Sequence, residues 1–282
     1  MKPFTYHAPT TVDEAVAMLE QYQSSCAVVA GGTDVIIELN ERHKTPAHVI
    51  AIDKLSELRY IKEEDGLVKI GALTTFDDLE NNAYVQALLE TAVHVGSPQI
   101  RNLGTVGGNV VNASVAGDSP TTFLTYGAQV VLKSAKGERV MTIEDFNKGP
   151  GNCAIRPDEL LTEIRFPALS GDEAVGYFKI GKRKSLAIVV LAVAIYIKRT
   201  SDNKVEDCRV VLGAVSKHPM RSPELEAFLK GRALTKQSLD ETLPAFTDAV
   251  QAAIPSVVYK REGVRGAARR CFDQIISQFG LA

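Results

Sequence analysis

Three observations make this chain an α+β protein. A short apolar strand, Cys26 to Ala30, runs into Gly31-Gly32-Thr33-Asp34 and a helical stretch, and a second strand follows at His48 to Ile52. That is the order of a βαβ unit. Farther on, strand-like runs at 174–181, 187–199 and 204–214 follow one another as an antiparallel meander, with only helical patterns after them. Finally, 45% apolar and 23% charged residues are the balance of a soluble globular chain of one to three domains.

In chain order, Thr11 with Glu14 reads as a capping box, and Val12, Ala15, Val16 and Leu19 recur at helical spacing, so a helix is expected over 11–23. After the strand at Cys26, residues Val35 to Arg42 look helical, and Pro46 breaks the chain before His48. A strand is expected at 66–72, a helix begun by Thr75 with Asp78 three residues on, and an apolar helix at 84–95. Residues 101–118, RNLGTVGGNVVNASVAGD, hold four glycines and three asparagines and predict little regular structure. Ser119-Pro120 then supplies a helix cap and a proline at the first helical position. A hairpin is expected at 129–142, turning at Lys136-Gly137, and a strand at Leu160 to Phe166. Ser170-Gly171-Asp172 reads as a linker. The closing helices are placed at 222–230, 235–253 (Ser238 with Glu241 as a capping box) and 262–279.

The charges exclude several functions. Lys and Arg number 32 against 34 Asp and Glu, with no basic or acidic tail, which argues against nucleic acid and anionic membrane as partners. The longest apolar run, Ala187 to Ile197, is shorter than the roughly 20 residues a membrane span needs. No secretory leader pattern opens the chain, so a cytoplasmic location is expected. Cys26, Cys153, Cys208 and Cys271 lie far apart without metal-ligand spacing and read as small buried apolar residues. The five histidines are dispersed, and no nucleophile–base pair stands out; no metal site is expected.

Chemistry concentrates in two glycine-rich stretches about seventy-five positions apart, Ala30 to Asp34 and Gly104 to Asn109. Glycine lets the backbone approach a ligand and turn successive N–H groups into a concavity, one way of holding phosphate without a cation. Thr33, Thr105 and Asn109 would add hydroxyl and amide donors. Glycine pairs also serve plain tight turns, and either stretch alone is compatible with that. Gly176 to Arg183 imitates a P-loop, but Arg183 stands where Ser or Thr must meet magnesium, and the flanks are strand-like. Asn112-Ala113-Ser114 is a glycosylation sequon in form only.

Five stretches in order resemble the FAD-binding subunit of the molybdenum hydroxylases, the family that includes the medium subunits of xanthine dehydrogenase and carbon monoxide dehydrogenase. They are Phe4, Tyr6, Pro9, Thr11, Glu14 and Ala15; AGGTD at 30–34; TVGGNVVNASVAGDSP at 105–120; DELLTEIRFP at 158–167; and FKIGKRKSLAI at 178–188. The resemblance implies a vanillyl-alcohol-oxidase-type fold: two FAD-binding subdomains (1–55 and 56–170) and a C-terminal α+β domain (174–282) with a three-stranded antiparallel sheet and helices. It also implies FAD contacts at Val28, Val29, Ala30, Gly31, Gly32, Thr33, Asp34 and Val35 in the first stretch. The second stretch would contribute Thr105, Gly107, Gly108, Asn109 and Asp118, with Leu161 as apolar cover, Lys179 as a charged contact, and Val95 and Ile100 flanking.

The same resemblance implies an electron relay with no catalytic acid or base of its own. A molybdopterin-binding large subunit and a [2Fe-2S] small subunit would be partners, as a dimer of heterotrimers, and NAD a candidate acceptor. No histidine lies in either glycine stretch, so FAD is expected to be non-covalent. Many relatives carry an aspartate shortly after the basic pair that follows the lysine. Here the run is Lys182-Arg183-Lys184-Ser185-Leu186, which leaves the acceptor open. An autonomous FAD-dependent oxidoreductase of the same fold and a non-catalytic nucleotide-binding assembly module are the alternatives.

Overall fold

A computed structural model describes residues 1–82, 86–183 and 186–281. The first layer contains β1 (Thr5–His7), α1 (Val12–Tyr22), β2 (Cys26–Val29), α2 (Val35–Asn40) and β3 (His48–Ala51). Its sheet is parallel in the order β1-β3-β2, with Cys26 opposite His48 and Val29 opposite Ala51. The βαβ expectation holds, and β1 adds an edge strand too short to show a pattern in sequence. Helix α1 buries Val12, Ala15, Val16 and Leu19 against Ile50, Ile52, Leu55 and Leu58. Each valine, leucine or isoleucine side chain so removed from water contributes about 1.5–3 kcal/mol. The Thr11 hydroxyl accepts the Glu14 N–H at 3.2 Å, but the Glu14 carboxylate turns to Thr10, accepting its N–H at 2.7 Å, so the expected box is half formed.

The second layer runs through β4 (Ile61–Glu64), β5 (Leu67–Gly71), α3 (Phe76–Glu80), α4 (Gln86–Ala92), α5 (Pro98–Leu103), α6 (Val106–Asn112), α7 (Ser119–Tyr126), β6 (Gln129–Ser134), β7 (Gly137–Thr142), α8 (Ile143–Phe146), β8 (Asn147–Gly149), β9 (Asn152–Cys153) and β10 (Leu160–Pro167). Its five-stranded antiparallel sheet has the order β4-β5-β10-β6-β7. The Thr75–Asp78 box is complete in both directions, at 3.1 and 2.9 Å. The helix expected at 84–95 is the shorter α4; positions 84 and 85 lie outside the described residues.

Two expectations fail in this layer, the first through local capping. The segment read as irregular is largely helical. The Ser97 hydroxyl accepts the Ile100 N–H and starts α5, and the Thr105 hydroxyl accepts the Gly108 N–H and starts α6. A cap of this kind is worth about 1 kcal/mol. With Val106 and Val110 buried in the core, it offsets glycine's helix cost of about 0.5–1 kcal/mol per residue. Ser119, expected as a cap, is instead the first residue of α7; Asp118 takes the cap position without a capping bond.

The third layer has β11 (Glu173–Gly181), β12 (Val189–Arg199), β13 (Val205–Gly213) and β14 (Met220–Arg221) in that antiparallel order, then α9 (Pro223–Leu229), α10 (Lys236–Asp240), α11 (Leu243–Ala253) and α12 (Val258–Gln278). The expected three-stranded sheet thus has a fourth, two-residue strand. The single helix expected at 235–253 is two: the Thr242 hydroxyl turns back to the Leu239 carbonyl at 2.6 Å, and Pro244 has no N–H to continue the ladder. Thr235 caps α10 by accepting the Ser238 N–H at 3.3 Å, in place of the Ser238–Glu241 box. Helix α12 starts four residues before the expected 262.

This sheet is covered on both faces. Val175, Tyr177, Ala192, Ala194, Tyr196 and Val211 join the core of the second layer, while Leu191, Val193, Ile195, Ile197, Val210 and Leu212 pack under the terminal helices. Double coverage is why β12 reads as an unbroken apolar run. A Cβ on Gly176 would stand 2.4 Å from the Cys271 carbonyl oxygen, so β11 and α12 touch backbone to backbone. Cys208 and Cys271 are buried, and burial pushes the Cys208 thiol up to about 12. Among the described residues no helix is long and apolar enough to cross a membrane, and no three His, Cys, Asp or Glu stand together as a metal set.

Candidate functional site

The two glycine stretches meet. A Cβ built on Gly31 would lie 1.7 Å from the Leu103 carbonyl oxygen and 3.2 Å from the Gly104 nitrogen. A Cβ on Gly104 would lie 3.7 Å from Thr33 Oγ1. Farther along α6, the Asn112 amide donates to Asp34 Oδ1 at 3.1 Å. The asparagine of the apparent sequon therefore fastens one turn to the other.

In the first turn, Val28 and Val29 end β2, Ala30 is half-buried, and Gly32 takes the left-handed φ of +72° that favours glycine. Among the described residues, the N–H groups of Gly31, Gly32, Thr33, Asp34 and Val35 have no hydrogen-bond acceptor; the first helical bond of this stretch starts at Ile36. Five successive open donors are a backbone run of the kind that can hold an anion.

The second turn is built differently, which corrects the expectation that its backbone donors are also open. Val106 N–H donates to Thr74 O, Gly107 to Ala72 O, Gly108 to Thr105 Oγ1 and Asn109 to Thr105 O, at 2.9 to 3.1 Å. What this turn can still offer is the Thr105 N–H, which has no acceptor among the described residues, with the Thr105 hydroxyl hydrogen, the Asn109 carboxamide and the absence of side chains. A Cβ on Gly107 would meet Ala72 O at 2.6 Å, so this glycine serves the fold. Gly108 is exposed, and a Cβ there would meet only Thr105 Oγ1, at 2.9 Å.

Asp118 and Lys179, 61 positions apart, form a buried ion pair: Nζ lies 2.7 Å from Oδ2, and the side chains are 4% and 9% exposed for Lys179 and Asp118. Lys179 Nζ also donates to the His94 carbonyl at 3.0 Å. Burial pushes the Asp118 carboxyl above the usual carboxylate range, and the Lys179 charge pulls against that shift. Lys179 stands where two cavities adjoin. One, of about 220 Å³, opens between His94, Arg101 and Arg183; the other, of about 670 Å³, lies between α4, β11 and α12.

Of the flanking residues, Val95 is buried and its carbonyl faces the Arg101 guanidinium, which pairs with Glu80 at 2.9 Å. Ile100 is partly exposed beside Gly96. Leu161 is a core residue opposite Leu132, one position from Thr162, whose carbonyl accepts the Ala72 N–H behind the second turn. Lys184 and Ser185 lie outside the described residues. The sequence reading missed Ser119, Asn112, His94 and Tyr177. None of the four carried a signal of its own, since the three-residue spacing of Asn109 and Asn112 has meaning only on a helix that the glycine-rich stretch does not predict.

Residues 2–169 match the family described as the FAD binding domain in molybdopterin dehydrogenase, and residues 176–275 match the CO dehydrogenase flavoprotein C-terminal domain. The chain belongs to this family of FAD-binding domains of molybdopterin dehydrogenases. It is 40% identical to the nicotinate dehydrogenase FAD-subunit of Eubacterium barkeri, over 99% of this chain and 98% of that one. It is 34% identical to the carbon monoxide dehydrogenase medium chain of Hydrogenophaga pseudoflava, over 86% and 85%. A solved carbon monoxide dehydrogenase from Hydrogenophaga pseudoflava that lacks the Mo-pyranopterin moiety superposes with a TM-score of 0.87 at 31% identity, covering 99% of both chains.

For a molybdopterin-dehydrogenase FAD domain the geometry fits the cofactor. The open donors of 31–35 suit a diphosphate, and the glycines keep the approach clear. Gly108→Val is the variant that separates site from fold, because Gly108 is exposed and its new side chain would meet only the Thr105 hydroxyl, at 2.9 Å from the Cβ. Expected is an FAD dissociation constant raised at least about tenfold, a loss of about 1.4 kcal/mol, with the thermal midpoint of the FAD-free chain within a few degrees of the parent. Equal FAD affinity by flavin-fluorescence titration would remove Gly108 from the cradle.

Proposed function

We propose that the chain is the FAD-carrying subunit of a heteromeric molybdenum hydroxylase. It would receive electrons from [2Fe-2S] clusters on a small subunit, which a molybdopterin-binding large subunit supplies, and pass them through FAD to NAD or another acceptor. The observation that carries this reading is the run of open N–H groups at 31–35 held against Leu103 and Gly104. An assembly module that bound no nucleotide would have no use for donors left without partners.

The FAD contacts proposed are Val28 to Val35 from the first turn; Thr105, Gly107, Gly108, Asn109 and Asp118 from the second; and Leu161, Lys179, Val95 and Ile100 around them. FAD, when bound without a covalent link, supplies the redox chemistry. The chain's own residues hold, orient and exclude water. Thr105 adds a hydroxyl donor, while the Thr33 hydroxyl donates to Asp34 Oδ2 at 3.3 Å and would have to leave it to reach a ligand; Lys179, already held by Asp118 and the His94 carbonyl, has one of its three N–H donors left to give.

Three structural units, 1–55, 56–170 and 174–282, are proposed on the vanillyl-alcohol-oxidase plan. The three main sheets support this, since each falls within one unit to a residue or so. A dimer of heterotrimers in the cytoplasm completes the proposal. Relatives are named for nicotinate and for carbon monoxide; the hydroxylated substrate here would be set by the large subunit.

Affinity purification of the tagged chain from its source tests the assembly. Expected are one FAD per chain, two co-purifying subunits, iron and molybdenum. A flavoprotein that purifies alone and oxidises a substrate of its own would overturn the proposal in favour of the autonomous enzyme.

A further inference from the structure

Because the backbone N–H groups of Val106, Gly107, Gly108 and Asn109 are consumed inside the chain, the Asn109 carboxamide becomes a main polar contribution of α6 to the cradle. A carboxamide has an acceptor end and a donor end, and only the donor end favours phosphate oxygens. Its orientation therefore decides the sign of the interaction.

One hydrogen bond addresses that orientation. The Ser119 hydroxyl lies 2.7 Å from Asn109 Oδ1 and donates to it. Ser119 is fully buried at the first position of α7, a helix whose residues are all buried, so its Oγ is held by a rigid element. Asn109 sits three residues before Asn112, on the α6 face whose amide reaches Asp34 of the first turn. With Oδ1 engaged by Ser119, the Asn109 NH₂ is left for the side of the cradle. In the flipped orientation the NH₂ would lie against Ser119, and the acceptor oxygen would face the anion.

We infer that Ser119 is a positioning residue of the FAD site: its hydroxyl fixes the Asn109 carboxamide with the NH₂ toward the diphosphate. Ser119 acts through Asn109 and makes no contact of its own with the ligand. It also ties the second turn to the helix whose cap residue, Asp118, is paired with Lys179. The inference rests on the flavin reading above.

A double-mutant cycle on the FAD-depleted full chain tests it, titrating FAD and following flavin fluorescence. Ser119→Ala and Asn109→Ala should each weaken FAD binding by roughly three- to tenfold, the range of one hydrogen bond. The double variant should bind no worse than Asn109→Ala alone. A merely structural serine would lower the thermal midpoint of the apo chain and give independent, multiplying losses. Ser119→Cys, similar in volume and a weak donor, should reproduce the Ser119→Ala loss and decides the matter if the alanine variant folds poorly.

Unchanged binding in both Ser119 variants, with Asn109→Ala still defective, overturns the positioning role and leaves the flavin site standing. Multiplying losses overturn it as well. Unchanged binding in Asn109→Ala contradicts the proposed contact itself, and the inference falls with it.

Discussion

Gly31→Ala is expected to abolish FAD binding, the largest single effect the site allows. The new methyl carbon would stand 1.7 Å from the Leu103 carbonyl oxygen and 2.5 Å from its carbon. Both are backbone atoms at the end of α5, so no side chain can rotate away, and the two turns must separate. Overpacking of this kind costs about 1–3 kcal/mol of stability. The loss of binding is greater, because all five open N–H groups move with the first turn. An FAD dissociation constant raised at least about a hundredfold, about 2.7 kcal/mol, is the expected titration result. Gly66→Ala is the control: Gly66 has φ +71° but nothing within 4 Å of its Cβ position, so only backbone strain of about 1 kcal/mol is expected, with FAD affinity unchanged.

Lys179→Met is the second, and its signature is a pH dependence. Removing one partner of a buried ion pair costs about 3–5 kcal/mol. In the parent, burial raises Asp118 while Lys179 holds it down. Without the lysine the largest opposing influence is gone, only the weaker pull of Tyr177 and His94 remains against burial, and the folded carboxyl titrates farther above its unfolded value of about 3.9. A folded value that is raised means stability is fully present below the unfolded value and is lost as pH rises through the folded one. Urea unfolding of Lys179→Met should therefore show a deficit that is small in acid and grows toward neutral pH. Adding Asp118→Asn should flatten that difference. A deficit equal at all pH values, and unaltered by Asp118→Asn, would mean the pair is not coupled as described.

The elements that sequence revealed are those whose cause is local. Helix α1, strand β10 and the β6–β7 hairpin declare themselves by apolar period, by alternation and by turn residues, and all three stand where expected. Helices α5 and α6 did not, because glycine and asparagine argue against helix. What decides them is two hydroxyl caps and the docking of Gly107 on Ala72, a residue 35 positions away. Strands β1 and β14 are too short to carry a period and exist only through their partners, β3 and β13.

The site divides in the same way. That Gly31 and Gly108 permit close approach was legible, since an absent Cβ is a property of the residue. Which backbone donors remain open was not, because Thr74 O and Ala72 O, supplied by a distant turn, consume those of Val106 and Gly107. Asp118 and Lys179 were each marked as ligand contacts, while their bond to each other appears only when α7 is packed beside β11. Ser119 looked like a helix cap, and the fold gave its hydroxyl to Asn109.

The central claim is that the two glycine turns hold one diphosphate, the first through backbone donors and the second through side chains. A crystallographic or electron-microscopy map of the flavin-loaded complex measures this directly. Phosphate oxygens within about 2.7–3.2 Å of N–H groups in the stretch 31–35, with the Asn109 NH₂ on the same group, are the result expected. Phosphates placed against the Lys179 cavities, with the 31–35 donors bonded only to water, would contradict it.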